Sequence, residues 1–155
     1  MTRREVSTRI FESNDMSACL QVFDSNVPDF FHLSERREFE TFLHSLPGPY
    51  LVLEADFDIV GCGGHAVRDD GRIADLCWGM IRRDLHGQGL GRHLTLARLE
   101  QATRDKRVQS VALSTSQHTV RFYEKLGFGV LEVIPDGFGA GLDRIDMRRD
   151  LGRGG

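Results

Sequence analysis

Met80-Ile81-Arg82-Arg83-Asp84-Leu85-His86-Gly87-Gln88-Gly89-Leu90-Gly91-Arg92 joins an extended stretch to a helical one. Upstream, residues 73–81 form a β-rich run containing Trp78. Downstream, residues 89–104 set Leu90, Leu94 and Ala97 on one side of a predicted helix, with Leu96 and Leu99 close by. Between them, Gly87, Gly89 and Gly91 stand at alternate positions, so the main-chain amides of 86–92 can converge on one point with no side chains in the way. The helix start adds unpaired N–H donors and the positive end of its dipole. Arg82, Arg83 and Arg92 add charge, and the whole reads as an anion cradle suited to a diphosphate. Neither the dinucleotide fingerprint nor the phosphate-loop pattern ending in Gly-Lys-Ser/Thr is present. A glycine turn with no ligand is the other reading of the same residues.

Working outward, residues 6–11 predict an opening strand. Ser13, Asn14 and Asp15 offer capping groups for a helix carrying Met16, Cys19, Leu20, Phe23 and Val27. Pro28 ends or kinks that helix, and Ser34 with Glu35 starts a second one bearing Phe39, Phe42 and Leu43. A hairpin turns at Asp56-Phe57, and a second tight turn at Asp69-Asp70-Gly71 leads into the 73–81 strand. After the glycine turn and its helix come a strand at 110–115, a helix at 119–125, a strand at 129–134, a flexible loop at 135–141 and a last strand near 143–148. The order β-α-α-β-β-β-α-β-α-β-β predicts an α/β (α+β) fold. Its sheet of about seven strands is mostly antiparallel, flanked by about four helices, with one βαβ crossover that begins at the glycine turn.

The chain has 155 residues, enough for one domain over 1–150. The remaining 151–155 are too glycine-rich to pack and predict a flexible tail. With net charge −3 and pI near 6.1, the basic footprint of a nucleic-acid binder is missing. No apolar run is long enough to span a membrane. Residues 1–60 carry eleven acids against five arginines, a balance of −6 that leaves +3 for the rest. This imbalance suggests two partners of opposite charge, or an incidental surface asymmetry. Three cysteines, Cys19, Cys62 and Cys77, share no metal spacing and read as buried apolar groups in a reducing, cytoplasmic protein. His86 and His93 lack an acidic third partner, so no metal is assigned.

The run 81–94 resembles the acetyl-CoA-binding segment of the GNAT N-acetyltransferase superfamily, Gln/Arg-x-x-Gly-x-Gly/Ala. His86, Gly89 and Gly91 fall on its specified positions, with His86 departing from the usual Arg or Gln. A second block, Ser116-Gln-His-Thr-Val-Arg-Phe-Tyr123-Glu-Lys-Leu-Gly-Phe128, is similar to the superfamily's later Asn, Tyr and Lys-x-Gly-Phe block, with Ser116 in place of the Asn. The two blocks in this order extend the resemblance over nearly the whole chain.

The resemblance implies direct acetyl transfer from acetyl-CoA, as cosubstrate, to a primary amine of a small molecule bound at the same time. It implies cofactor contacts from Met80, Ile81, Arg83, His86, Gly87, Gln88, Gly89, Leu90, Gly91, Arg92 and Ser116. A bulge before the glycine turn, around Met80 and Ile81, would free amides for the thioester. Tyr123 takes the place of a tyrosine near the sulfur, where a phenol can protonate a departing thiolate; as a plain helix residue it would pack with its hydroxyl bonded to backbone. Asp75, His118 and His86 are the candidate bases, with Asp75 first. The resemblance also places the acceptor cleft between 23–42 and 135–141; Phe30, Phe31, Trp78 and Phe138 are candidates for an apolar lining there and Asp24 and Asp29 for drawing a cation, or the aromatics are core and the acids a solvated rim. A homodimer is left open. A non-catalytic acyl-CoA sensor and a plain interaction domain are the alternative functions.

Overall fold

The computed structural model describes residues 5–153. Seven strands form one sheet: β1 (Val6–Ile10), β2 (Tyr50–Ala55), β3 (Asp58–Arg68), β4 (Ile73–Ile81), β5 (Ser110–Thr115), β6 (Gly129–Gly139) and β7 (Leu142–Asp150). Their spatial order is β1-β2-β3-β4-β5-β7-β6. Every neighbouring pair is antiparallel except β4 with β5, the predicted crossover pair. The helices are α1 (Met16–Ser25), α2 (Arg36–His44), α3 (Leu90–Thr103) and α4 (Val120–Glu124). None among the described residues is long and apolar enough to cross a membrane.

The two-residue period of a strand sorts the core. Tyr50 and Val52 of β2 pack with Cys19, Val22 and Phe23 of α1 and with Phe39 and Leu43 of α2. Leu51 and Leu53, one position off, pack on the opposite face with Leu90 and Leu94 of α3. Beyond the crossover, Val111, Leu113, Ile145 and Met147 close over Leu126 and Phe128 at the end of α4. Cys19 and Cys62 are fully buried, whereas Cys77 is half-buried.

Three expectations are corrected. The supposed loop at 135–141 is largely strand: β6 runs to Gly139, across a register slip between Ile134 and Gly139. Side chains replace ladder bonds there, since Asp143 Oδ1 accepts from Asp136 N and Asp136 Oδ1 accepts from Gly141 N. The tail is held as far as Arg153, because Leu151 N donates to Gln109 O and the Arg153 guanidinium caps the carbonyls of Thr103, Asp105 and Val108; Gly154 and Gly155 lie outside the described residues. Leu96 of α3 is exposed. The buried stripe is Leu90, Leu94, Arg98 and Ala102, so a guanidinium occupies a core position.

Candidate active site

Parallel pairing between β4 and β5 lasts only from Ile73–Ser110 to Asp75–Ala112. Beyond it the strands part, and both freed edges, 76–81 and 113–116, line one cavity of about 1320 Å³. That exceeds the ordinary range for a single small ligand, about 300–1,000 Å³. The splay has a local cause. Gly64 pairs with Cys77 and Cys62 with Met80, so Gly63 alone faces both Trp78 and Gly79. This is a β-bulge, two residues earlier than the expected place at Met80 and Ile81, and Trp78 carries the left-handed φ of 44° that it imposes. Tyr50 Oη holds the distorted peptide by donating to Trp78 O at 2.8 Å, while the indole packs among Phe23, Phe31, Phe39 and Phe42.

The glycine turn opens onto the same cavity. Gly87 and Gly89 have φ of 79° and 84°, and a Cβ on either would meet nothing within 4 Å. Gly91 differs: its Cβ would touch the Phe122 ring at 3.5 Å in ordinary contact, and its φ is not left-handed. His86 N donates to Arg83 O, so it does not join the cradle. The amides of 87–92 have no acceptor among the described residues; the first bond of the helix ladder is His93 N to Gly89 O at 3.1 Å. Six consecutive unsatisfied donors before open space are what an anion requires, and a diphosphate therefore fits these residues.

Several expected contacts point elsewhere. The Arg83 guanidinium is paired with Asp29 and lies over the Phe30 ring, 5.2 Å from its centre. Arg83, exposed Gln88 and the buried Leu90 side chain are absent from the cavity wall. The His86 ring bonds Ile81 O at 2.8 Å, which braces the turn. Arg92, exposed at the mouth, makes no ion pair among the described residues. Ser116 is buried at the wall, its Oγ accepting from His118 N as α4 begins.

Tyr123 reaches the wall from α4, its ring against Phe122 and Phe128. Its hydroxyl has no hydrogen-bond partner among the described residues, contrary to the reading in which backbone holds it. Asp75 also lines the cavity, with Oδ2 bound to Arg68 Nε at 2.7 Å. Phe30 bridges the two histidines, 4.8 Å from the His86 ring and 5.7 Å from that of His118.

Phe30, Phe31, Trp78 and Phe138 do share the wall. The expected cation-attracting acids do not, since Asp24 is engaged by Arg36 and Asp29 by Arg83. The acids on that side are Glu35 and Glu38. Glu35 is buried, and desolvation pushes its carboxyl above the usual range, against the lowering effect of the bond from His32 N. Its capping position hid this role in the sequence. Arg98 was also missed, although an arginine four residues past Leu94 and eight past Leu90 on an apolar stripe was a visible signal. The cavity is thus acidic and aromatic beside α2, and cationic beside α3 at Arg92 and Arg98.

A mixed sheet wedged open between its two parallel strands, ahead of a helix start with free amides, is the class of α/β domain this chain forms. Residues 21–151 match the family model described as "Acetyltransferase (GNAT) domain", and the chain belongs to that family. No curated protein matches it. Among solved structures, it resembles the ribosomal-protein-S18-alanine N-acetyltransferase from Escherichia coli at TM-score 0.80 and 18% identity, over 97% of each chain. It also resembles the yncA protein of Salmonella typhimurium, solved with acetyl-CoA, at TM-score 0.74 and 19% identity over 97% of this chain and 96% of that one. An aminoglycoside 6'-N-acetyltransferase complexed with coenzyme A superposes at TM-score 0.74 and 15% identity, over 93% and 96%. At these identities the likeness is one of fold.

Proposed function

We propose that the protein transfers an acetyl group from acetyl-CoA to a primary amine of a small molecule, with donor and acceptor bound together. The observation that carries this reading is the row of unsatisfied amides at 87–92, opening onto the cavity that the free edge of β4 lines. Structures of the same fold solved with acetyl-CoA or coenzyme A support it.

In this reading the 87–92 amides and Arg92 hold the diphosphate, and the main chain at Met80 and Ile81 faces the pantetheine arm. Glu35 and Glu38 draw the acceptor's ammonium, and the aromatic wall takes its apolar part. A carboxylate, Asp75 or Glu35, removes the proton directly or through water. The amine nitrogen then attacks the thioester carbonyl; the C–N bond forms, the C–S bond breaks, Tyr123 gives its phenol proton to the thiolate, and the second proton shed by the nitrogen restores the phenol. The free cysteines fit a reducing, cytoplasmic setting.

Calorimetric titration with acetyl-CoA, followed by free-thiol release over a panel of amines, tests this. Binding in the micromolar range with amine-dependent thiol release is expected. Absence of binding overturns the reading, and binding without release over the whole panel points instead to a sensor.

A further inference from the structure

Arg98 is a buried charge with no ion pair among the described residues. Its residue is 2% exposed, yet it lines the cavity. Two of its N–H groups reach acceptors, both long and both neutral: Nε to Gly64 O at 3.3 Å and one terminal nitrogen to Cys77 O at 3.4 Å. The other terminal nitrogen, Nη1, has no partner and is not sealed in the core. A charge buried among neutral acceptors carries a desolvation cost that a paired anion offsets.

The surroundings are shaped around this group. A Cβ on Gly79 would fall on the guanidinium, and one on Gly63 would stand 2.9 Å from Nε. Both glycines belong to the bulge that splays β4. Next to it, His65 is held below the usual histidine range by burial and by the Arg98 charge, and its Nδ1 has no partner. Among the described residues no carboxylate pairs with Arg98; Asp75, on the same cavity wall, is engaged by Arg68.

The CoA phosphates do not reach it if they occupy the glycine turn. Arg98 lies nine residues along α3 from Gly89, about 13 Å at a rise of about 1.5 Å per residue. The part of the donor that arrives at the bulge is the far end of the pantetheine arm, which carries the acyl group.

From this placement we propose that the donor site accepts acyl-CoA thioesters whose acyl chain ends in a carboxylate, with Arg98 pairing that carboxylate. The proposal rests on the acyl-CoA reading above and extends it from acetyl to ω-carboxyacyl donors. The transfer is the same reaction: the amine nitrogen bonds to the thioester carbonyl carbon, the C–S bond breaks, and the amine's proton leaves with the CoA thiol. The distal carboxylate is unchanged throughout.

Calorimetric titration with CoA, acetyl-CoA, succinyl-CoA and butyryl-CoA tests it without knowledge of the acceptor. Succinyl and butyryl chains match in length and differ in carboxylate against methyl. A charge-assisted pair of this kind is expected to make succinyl-CoA bind about tenfold or more tighter than butyryl-CoA. Arg98→Gln is expected to bring that ratio to about one while leaving affinity for CoA itself unchanged, and Arg98→Lys to keep part of it. Equal or weaker binding of succinyl-CoA by the unaltered protein overturns the proposal, whether or not the variants fold. An unchanged ratio in folded Arg98→Gln overturns it too. Failure of CoA itself to bind refutes the acyl-CoA reading and this proposal with it, an outcome distinct from loss of the succinyl preference alone.

Discussion

Substituting Gly89 by glutamate separates the cost of the turn's backbone from the electrostatics of its ligand. Gly89 has φ 84°, and its Cβ would meet nothing within 4 Å, so no clash accompanies the change. What remains is the left-handed conformation, about 1–2 kcal/mol for a residue with a side chain. A domain with about 5–15 kcal/mol of stability survives that loss. The ligand suffers more. A carboxylate about 4 Å from a phosphate charge costs about 1 kcal/mol in bulk water and about 4 kcal/mol at an effective dielectric constant of about 20. CoA affinity should therefore fall roughly fivefold to a thousandfold. Raising the salt should recover part of the loss, because the Debye length shrinks from about 10 Å at 0.1 M to about 3 Å at 1 M. Gly89→Ala should show the backbone cost with a smaller affinity change. Gly91→Ala is the control, as its Cβ finds ordinary contact with Phe122 and alanine favours the helix by up to about 1 kcal/mol. Calorimetry with CoA, beside thermal melts of each variant, reads both quantities. A folded Gly89→Glu protein that binds CoA within twofold of the parent refutes the amide cradle.

Tyr123→Phe should leave stability within about 0.5 kcal/mol, since the hydroxyl has no protein partner, and should leave acetyl-CoA affinity unchanged. Thiol release with an accepted amine should slow about a hundredfold, and an unaltered turnover number removes Tyr123 as the acid. Gly79→Ala should destabilise the fold by about 1–3 kcal/mol, because the added methyl lands on the Arg98 guanidinium. Adding Arg98→Met should recover most of it, and additive losses in a double-mutant cycle would disprove the contact. Arg9 holds the Asp15 carboxyl below its ordinary value of 3.8, so this pair stabilises the protein above that pH and is lost as pH falls through the lower native value. Urea melts of Asp15→Asn should show a shallower decline below about pH 4 than the parent, and parallel curves would contradict this. Glu35 has the opposite sign: its raised native pKa penalises the fold at neutral pH and not in acid. Glu35→Gln should therefore stabilise at pH 7 more than at pH 4; equal effects at the two values would exclude a burial penalty on Glu35.

Much of the architecture was legible along the chain because its signals are local. The apolar run of β2, the Asp56-Phe57 and Asp69-Asp70-Gly71 turns and the glycine run before α3 each depend on a few neighbouring residues. The element order then left one crossover and one place for the site. The strand at 135–139 was not legible, since Pro135, Asp136 and Gly137 carry turn chemistry; pairing with β7 and side-chain bonds from Asp136 and Asp143 overrode it. The bulge position was equally hidden, although a Trp-Gly pair inside a strand hinted at it.

The residue types and spacings of 81–94 and 116–128 by themselves determined the family and the turn of free amides, because unhindered amides at a helix start need only glycine and a helix to follow. Which charges remain free to act was decided by the tertiary structure alone. Ion pairing is settled by side chains far apart in the chain: Asp29 removes Arg83 from the turn, Arg36 removes Asp24 from the cleft, and the register slip between β3 and β4 leaves Arg98 buried with only carbonyls for company.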